Sequence, residues 1–430
     1  MTSSHIQRST WPAYMRYLSA RRRRRGIQAR PVRPDFIPVV VGEDIGAYAM
    51  ARCLHQSYGS GVAVIASNPV PSITQSRFID LKLVADLAND DVMRAALGGI
   101  VENYPSTRRL LVGTYPGLGA FLARHRTEME EHFIFVLPSD EALWALNDRA
   151  AFAHLCERLD ITGPYRQVVD LSVETPVSFD IPFPVIAAPA VTQDVPQQGL
   201  TPNGHERLLT SAAEVQRLWR ELEEINYRGE YVVWPKPNGD ETHRSYLLVY
   251  VNQHGHMTMA ATTRVLLAIT GQHTDIEPVA VISQIPDPRV LDEARKILAD
   301  IGLTGFATFH LHEDPSSGKT TIIKAHAGIT YFSHVIEAGG VNPMRHLVAD
   351  RIDGLDLGFR QTNREVVSTP LPLSFVTRKI ANPHLRERVA SLASCGAHVN
   401  PLNYPVDLTL EQLPSLAMLA RIMREVHKTH

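Results

Sequence analysis

The run Thr304-Gly305-Phe306-Ala307-Thr308-Phe309-His310-Leu311-His312-Glu313-Asp314-Pro315-Ser316-Ser317-Gly318-Lys319-Thr320-Thr321-Ile322-Ile323-Lys324-Ala325-His326 decides how this chain is read. Two stretches rich in β-branched and aromatic residues, 306–313 and 320–326, flank Asp-Pro-Ser-Ser-Gly, which is turn chemistry, so the segment is predicted to be a β-hairpin. Strand alternation places His310 and His312 on one face of the first strand and Lys324 and His326 on one face of the second. These side chains converge if the strands pair as expected.

Working outward, the preceding residues 290–301 have helical spacing closed by Gly302. Strands are expected at 231–234, 245–252 and 256–267, with a turn at 253–255, giving an antiparallel sheet. Ser211 and Glu214 form an S-x-x-E capping signal ahead of Val215, Leu218, Trp219, Leu222 and Ile225, a helical pattern. Upstream lie a strand at 183–188 and a polar stretch at 192–207 that reads as a loop, a lid or a long connector. Helices are expected at 140–163, with Pro164 as the exit. Residues 36–140 alternate strands (36–41, 62–66, 109–113, 133–137) with helical segments, the pattern of an α/β layer on a mainly parallel sheet. Beyond the hairpin, helices at 343–352, 385–392 and 410–427 form an extension.

Composition fits this mixed architecture. The chain has 430 residues, 44% hydrophobic and 20% charged, with 3 cysteines in no metal-ligand spacing. These figures exclude collagenous, wholly disordered and disulfide-scaffold classes and suggest two or three domains. No apolar stretch reaches the roughly 18 residues of a membrane span. Of the 43 Lys and Arg, nine arginines fall in residues 1–34, which carry no acid, so the remainder holds 34 bases against 45 acids. Arg21, Arg22, Arg23, Arg24 and Arg25 are consecutive. Such a tail reads as a disordered, solvated segment; it also suits an anionic membrane surface or nucleic acid. No apolar signal region follows it and no nucleic-acid-binding module is recognisable in the body, so the expected location is the cytoplasm, with a peripheral place at the inner membrane face as an option.

Several phrases, in order, resemble the ATP-grasp carboxylate–amine ligases, especially the D-aspartate ligases of peptidoglycan cross-bridge synthesis. They include Phe36-Ile37-Pro38 with Gly42, Asp44 and Tyr48, Cys156-Glu157 before Pro164, Phe183-Pro184-Val185, Gly239-Asp240 before a strand, and Thr304-Gly305-Phe306-Ala307 before the hairpin. The resemblance implies an α/β and α+β fold of ATP-grasp type. Its expected parts are a basic tail at 1–35, a Rossmann-like α/β domain at 36–140, an ATP-grasp-like domain with lid and antiparallel-sheet subdomains at 141–345, and an α/β extension at 346–430.

The same resemblance implies chemistry that joins a carboxylate to an amine through an acyl phosphate, with ATP and Mg²⁺ as cofactors. Here the chain departs from the family pattern. Ala188 stands where the family places a phosphate-binding lysine, and Trp234-Pro235-Lys236 where it has the adenine hinge. His310, Lys324 and His326 stand where it has metal ligands. Mg²⁺ wants hard oxygen donors, so an ammonium and imidazoles are poor partners for it. The leading expectation is therefore a degenerate homologue, without a catalytic residue to name, acting as a binding or regulatory partner of another protein such as an active ligase. An active ligase with a rearranged site stays open, with Asp240, Glu241 and Arg264 as retained polar contacts. So does a transition-metal site on His310, His312 and His326.

Overall fold

The computed structural model describes residues 35–68, 70–163, 167–173, 181–190, 206–270, 276–329, 332–407 and 422–426. The arginine-rich tail, Pro164, residues 192–205 of the polar stretch and most of the expected helix at 410–427 lie outside these residues. Among the described residues, 35–135 with 404–407 form one compact unit, and 136–403 with 422–426 form a second.

The first unit is built on strands β1 (Phe36–Val41), β2 (Val62–Ala66), β3 (Ile79–Leu83) and β4 (Arg108–Gly113), in spatial order β3-β2-β1-β4 and parallel throughout. β1 and β2 are buried along their whole length, as apolar runs covered on both faces must be. Helix α1 (Ile45–Tyr58) connects β1 to β2; the Asp44 side chain caps it by accepting the Ala47 N–H, and Gly59 ends it in the left-handed region at φ 65°. Two expectations are corrected in this unit. Residues 133–137 make only a single parallel bridge, Leu110 to Ile134, rather than a strand. A strand is present at Ile79–Leu83, where none was expected.

The second unit holds two sheets, the smaller antiparallel and the larger mainly so. The smaller has order β5-β8-β6-β7, from β5 (Gln167–Asp170), β6 (Val185–Pro189), β7 (Arg207–Leu209) and β8 (Glu230–Pro235). One of its faces packs Val185, Ala187, Tyr231 and Val233 on Val215, Leu218, Trp219 and Leu222 of a helix at Ala212–Glu224. Ser211 caps that helix, but the Glu214 carboxylate reaches past the cap to the Thr210 N–H at 2.6 Å. The larger sheet comprises β9 (Arg244–Val251), β10 (Met257–Thr270), β11 (Ile276–Gln284), β12 (Gly305–Glu313) and β13 (Thr320–Ala327), with short strands from 360–399 added. β11 was also not anticipated; Pro278 within it masks the strand signal. One face of this sheet presents Leu247, Val249, Phe309, Leu311 and Ile322 to helices at Asp140–Asn147, Arg149–Arg158 and Pro288–Asp300. The helix expected at 343–352 is α-helical only over Pro343–Val348 and then widens into a π turn at Ala349–Asp353.

Candidate functional site

The hairpin pairs as its sequence predicts, with one irregularity. His310 lies opposite Lys324 and Thr308 opposite His326, and a bulge at Ile323 shifts the register beyond His310. On the other side of β12, His310 faces Tyr246 and His312 faces Arg244 of β9. Thus Arg244, Tyr246, His310, Lys324 and His326 share the face turned away from the helices, because side chains alternate along each strand.

This face forms one wall of a cavity of about 110 Å³; Ile186, Val232 and Trp234 of the small sheet form the other, with Arg149 and Glu206 between them. Ala188 lies on the same face of the small sheet as Ile186 and Trp234 but is fully buried in an apolar cluster with Ala150, Ala190 and Val232. The structure therefore brings His310, Lys324 and Trp234 to one hollow, with Ala188 behind its wall. At the hinge, Pro235 has no N–H, and the Lys236 N–H donates to the Pro184 carbonyl at 2.9 Å. Neither position offers a backbone donor to a ligand.

Three charged lining residues were missed in the sequence: Arg244 at the start of β9, Arg149 and Glu206. Arg149, the first residue of its helix, donates to the Pro189 carbonyl at 2.9 Å at the end of β6. Glu206, at the end of the stretch read as a loop, is buried, and its Oε1 lies 3.1 Å from Lys324 Nζ and 3.7 Å from Arg149 Nη2. Nothing in local periodicity marks them. Among the described residues lining the cavity, the charged side chains are Arg149, Arg244 and Lys324 against Glu206 alone. Burial, reinforced by Lys324, His326, Arg244 and Arg149, pushes the His310 pKa well below its ordinary value, so its imidazole is neutral at pH 7. Burial and then Lys324 lower that of His326 to about 4. The two rings approach at 3.4 Å, Nε2 to Nδ1.

The remaining sequence candidates occupy other places. His312 is buried and its Nε2 bonds the Asn238 carbonyl at 2.7 Å, so His310, His312 and His326 are not assembled as one ligand group. Among the described residues, no cluster of three or more His, Cys, Asp or Glu is arranged to hold a metal ion. Asp240 caps a short turn at Glu241–His243, its Oδ1 accepting the Thr242 N–H at 3.0 Å. Arg264 donates to the Thr242 carbonyl at 2.6 Å and pairs with Glu313 at 3.0 Å. Neither Asp240 nor Arg264 lines the cavity.

The groups present do not fit a magnesium ion with a nucleotide triphosphate. Magnesium takes oxygen ligands in near-octahedral geometry, whereas among the described residues this wall supplies an ammonium and the neutral imidazole of His310, and the lining carboxylate, Glu206, already lies between two cations.

No protein-family model matches the sequence. The chain is 23% identical over 325 residues to a D-aspartate ligase of Enterococcus faecium, covering 74% of this chain and 77% of that protein. It is 21% identical over 326 residues to a carbamoyl phosphate synthase large chain of Thermus thermophilus, spanning 30% of that longer protein. Among solved structures, a biotin carboxylase of Campylobacter jejuni superposes with a TM-score of 0.56 at 13% identity, covering 77% of this chain and 74% of that one. An N5-carboxyaminoimidazole ribonucleotide synthetase does so at 0.53 and 14%, covering 78% and 81%. No helix among the described residues is long and apolar enough to cross a membrane. The order of a Rossmann-like unit, a small lid-type sheet and a larger antiparallel sheet is thus that of the ATP-grasp fold, and in sequence the chain is distantly similar to D-aspartate ligase.

Proposed function

We propose that this protein is a catalytically degenerate homologue of the ATP-grasp carboxylate–amine ligases, acting as a binding or regulatory protein. The observation that carries the reading is the ion pair of Lys324 with Glu206 on the cleft wall, opposite His310. Activation of a carboxylate by phosphoryl transfer requires metal-held phosphates and an approach for the acceptor. Here the wall carries a fixed cation and neutral rings, and its carboxylate is engaged. An active ligase acting on cell-wall precursors is the partner that the kinship with D-aspartate ligase suits.

The decisive experiment is turnover by the purified protein with ATP, Mg²⁺ and D-aspartate. The expected result is no Mg²⁺-dependent nucleotide hydrolysis above background. Hydrolysis that disappears in Lys324→Met would overturn the reading.

A second reading, an active ligase with a rearranged site, is favoured by the gathering of Arg149, Arg244 and Lys324 in one cavity, because cations of this kind offset phosphoryl charge. A ligand that binds only the folded state stabilises it by RT ln(1 + [L]/Kd). This reading therefore requires a rise in Tm with ATP and Mg²⁺, whereas the degenerate reading expects none.

A further inference from the structure

We infer that the cavity between the two sheets of the second unit is a metal-independent site for a single phosphate-sized oxyanion, with the Glu206 carboxylate as its built-in competitor. The inference rests on reading this cleft as one that carries no magnesium nucleotide. The hollow of about 110 Å³ is lined by Arg149, Arg244 and Lys324, which come from a helix start, β9 and β13 and converge on one space. Ile186 and Trp234 form the opposite side, and an anion held by ammonium and guanidinium groups gains charge-assisted hydrogen bonds. The imidazoles beside it are neutral and add no positive charge; the attraction comes from the ammonium and the guanidinium groups. The hollow is large enough for one tetrahedral oxyanion.

Glu206 shows how such an anion is held. Its Oε1 is within 3.1 Å of Lys324 Nζ and 3.7 Å of Arg149 Nη2, so a carboxylate from the protein itself bridges cations from two different elements. A tethered carboxylate competes at a high effective concentration, which weakens a free anion's apparent affinity. A phosphate dianion carries twice the charge of the carboxylate that it displaces.

Isothermal titration of the full chain with inorganic phosphate, in EDTA and without nucleotide, tests the site. Glu206→Gln is expected to bind phosphate at least tenfold more tightly than the unmodified protein, and Lys324→Gln at least tenfold more weakly. Circular dichroism confirms that each variant is folded. If Glu206→Gln does not fold, the comparison of Lys324→Gln with the unmodified protein decides alone. Equal affinities in the folded proteins, or no binding by any of them, overturn the inference. Methyl phosphate separates two sources of the same chemistry: binding as tight as that of inorganic phosphate indicates the end group of an organic monoester, weaker binding indicates the free ion, and either supports the site. Because magnesium and nucleotide are absent, failure here is distinct from the appearance of Mg²⁺-dependent hydrolysis, which would overturn the proposed function.

Discussion

The two faces of the hairpin formed by β12 and β13 are built from the same two strands and have opposite physical characters. One face, with Phe309, Leu311 and Ile322, is dry and packs on three helices. The other borders a charged hollow with His310 and Lys324, and His326 lies beside His310. The comparison separates what holds the protein together from what it presents to a ligand. Stability should respond steeply to changes on the first face and mildly to changes on the second, while anion binding should respond in the reverse order.

The sharpest way to break this contrast is Phe309→Ala. Its side chain is fully buried, and removing it leaves a cavity that costs about 3–5 kcal/mol. Urea denaturation is expected to show a lower midpoint with an unchanged slope.

Acid is the next largest effect, and it acts on the second face. The unfolded chain protonates His326 near pH 6.5, whereas the folded protein resists protonation until about 4. The unfolded state therefore binds more protons between these values, so stability is full above about pH 6.5 and is lost as the pH falls. By pH 5 this histidine alone should have removed about 2 kcal/mol. Denaturation midpoints measured from pH 7.5 to 5 check this, and His326→Asn should flatten the decline.

Arg264→Ala tests a polar contact outside the hollow. Losing the bonds to Thr242 and Glu313 should cost about 1–2 kcal/mol in thermal unfolding and leave phosphate titration unchanged. The smallest stability effect is expected from Lys324→Met. The lysine side chain is 36% exposed and Glu206 keeps Arg149, so the change should stay within about 1 kcal/mol. Should Lys324→Met destabilise as strongly as Phe309→Ala, the division of labour between the faces is wrong.

Much of the fold was legible because burial repeats along the chain. Leu218 and Trp219 announced their helix by spacing, Ser211 announced its start, and the Asp-Pro-Ser-Ser-Gly turn fixed the hairpin. Other elements were hidden for identifiable reasons. Pro278 disguised β11, and Ile134 found a partner for only one bridge. The candidate site was half legible. His310 and Lys324 followed from strand alternation, but Arg149 and Glu206 did not, since a lone charged residue at a helix start or after a polar stretch looks like solvated surface.

The sequence by itself determined most of the helices, the hairpin and which of its faces joins the core, because these are encoded in short periodic patterns. Only the tertiary structure decided that Glu206 meets Lys324 across 118 residues of chain and that both share a hollow with Arg149. Contacts between single charges so far apart leave no period in the sequence; they exist only once two separately formed sheets enclose the same space.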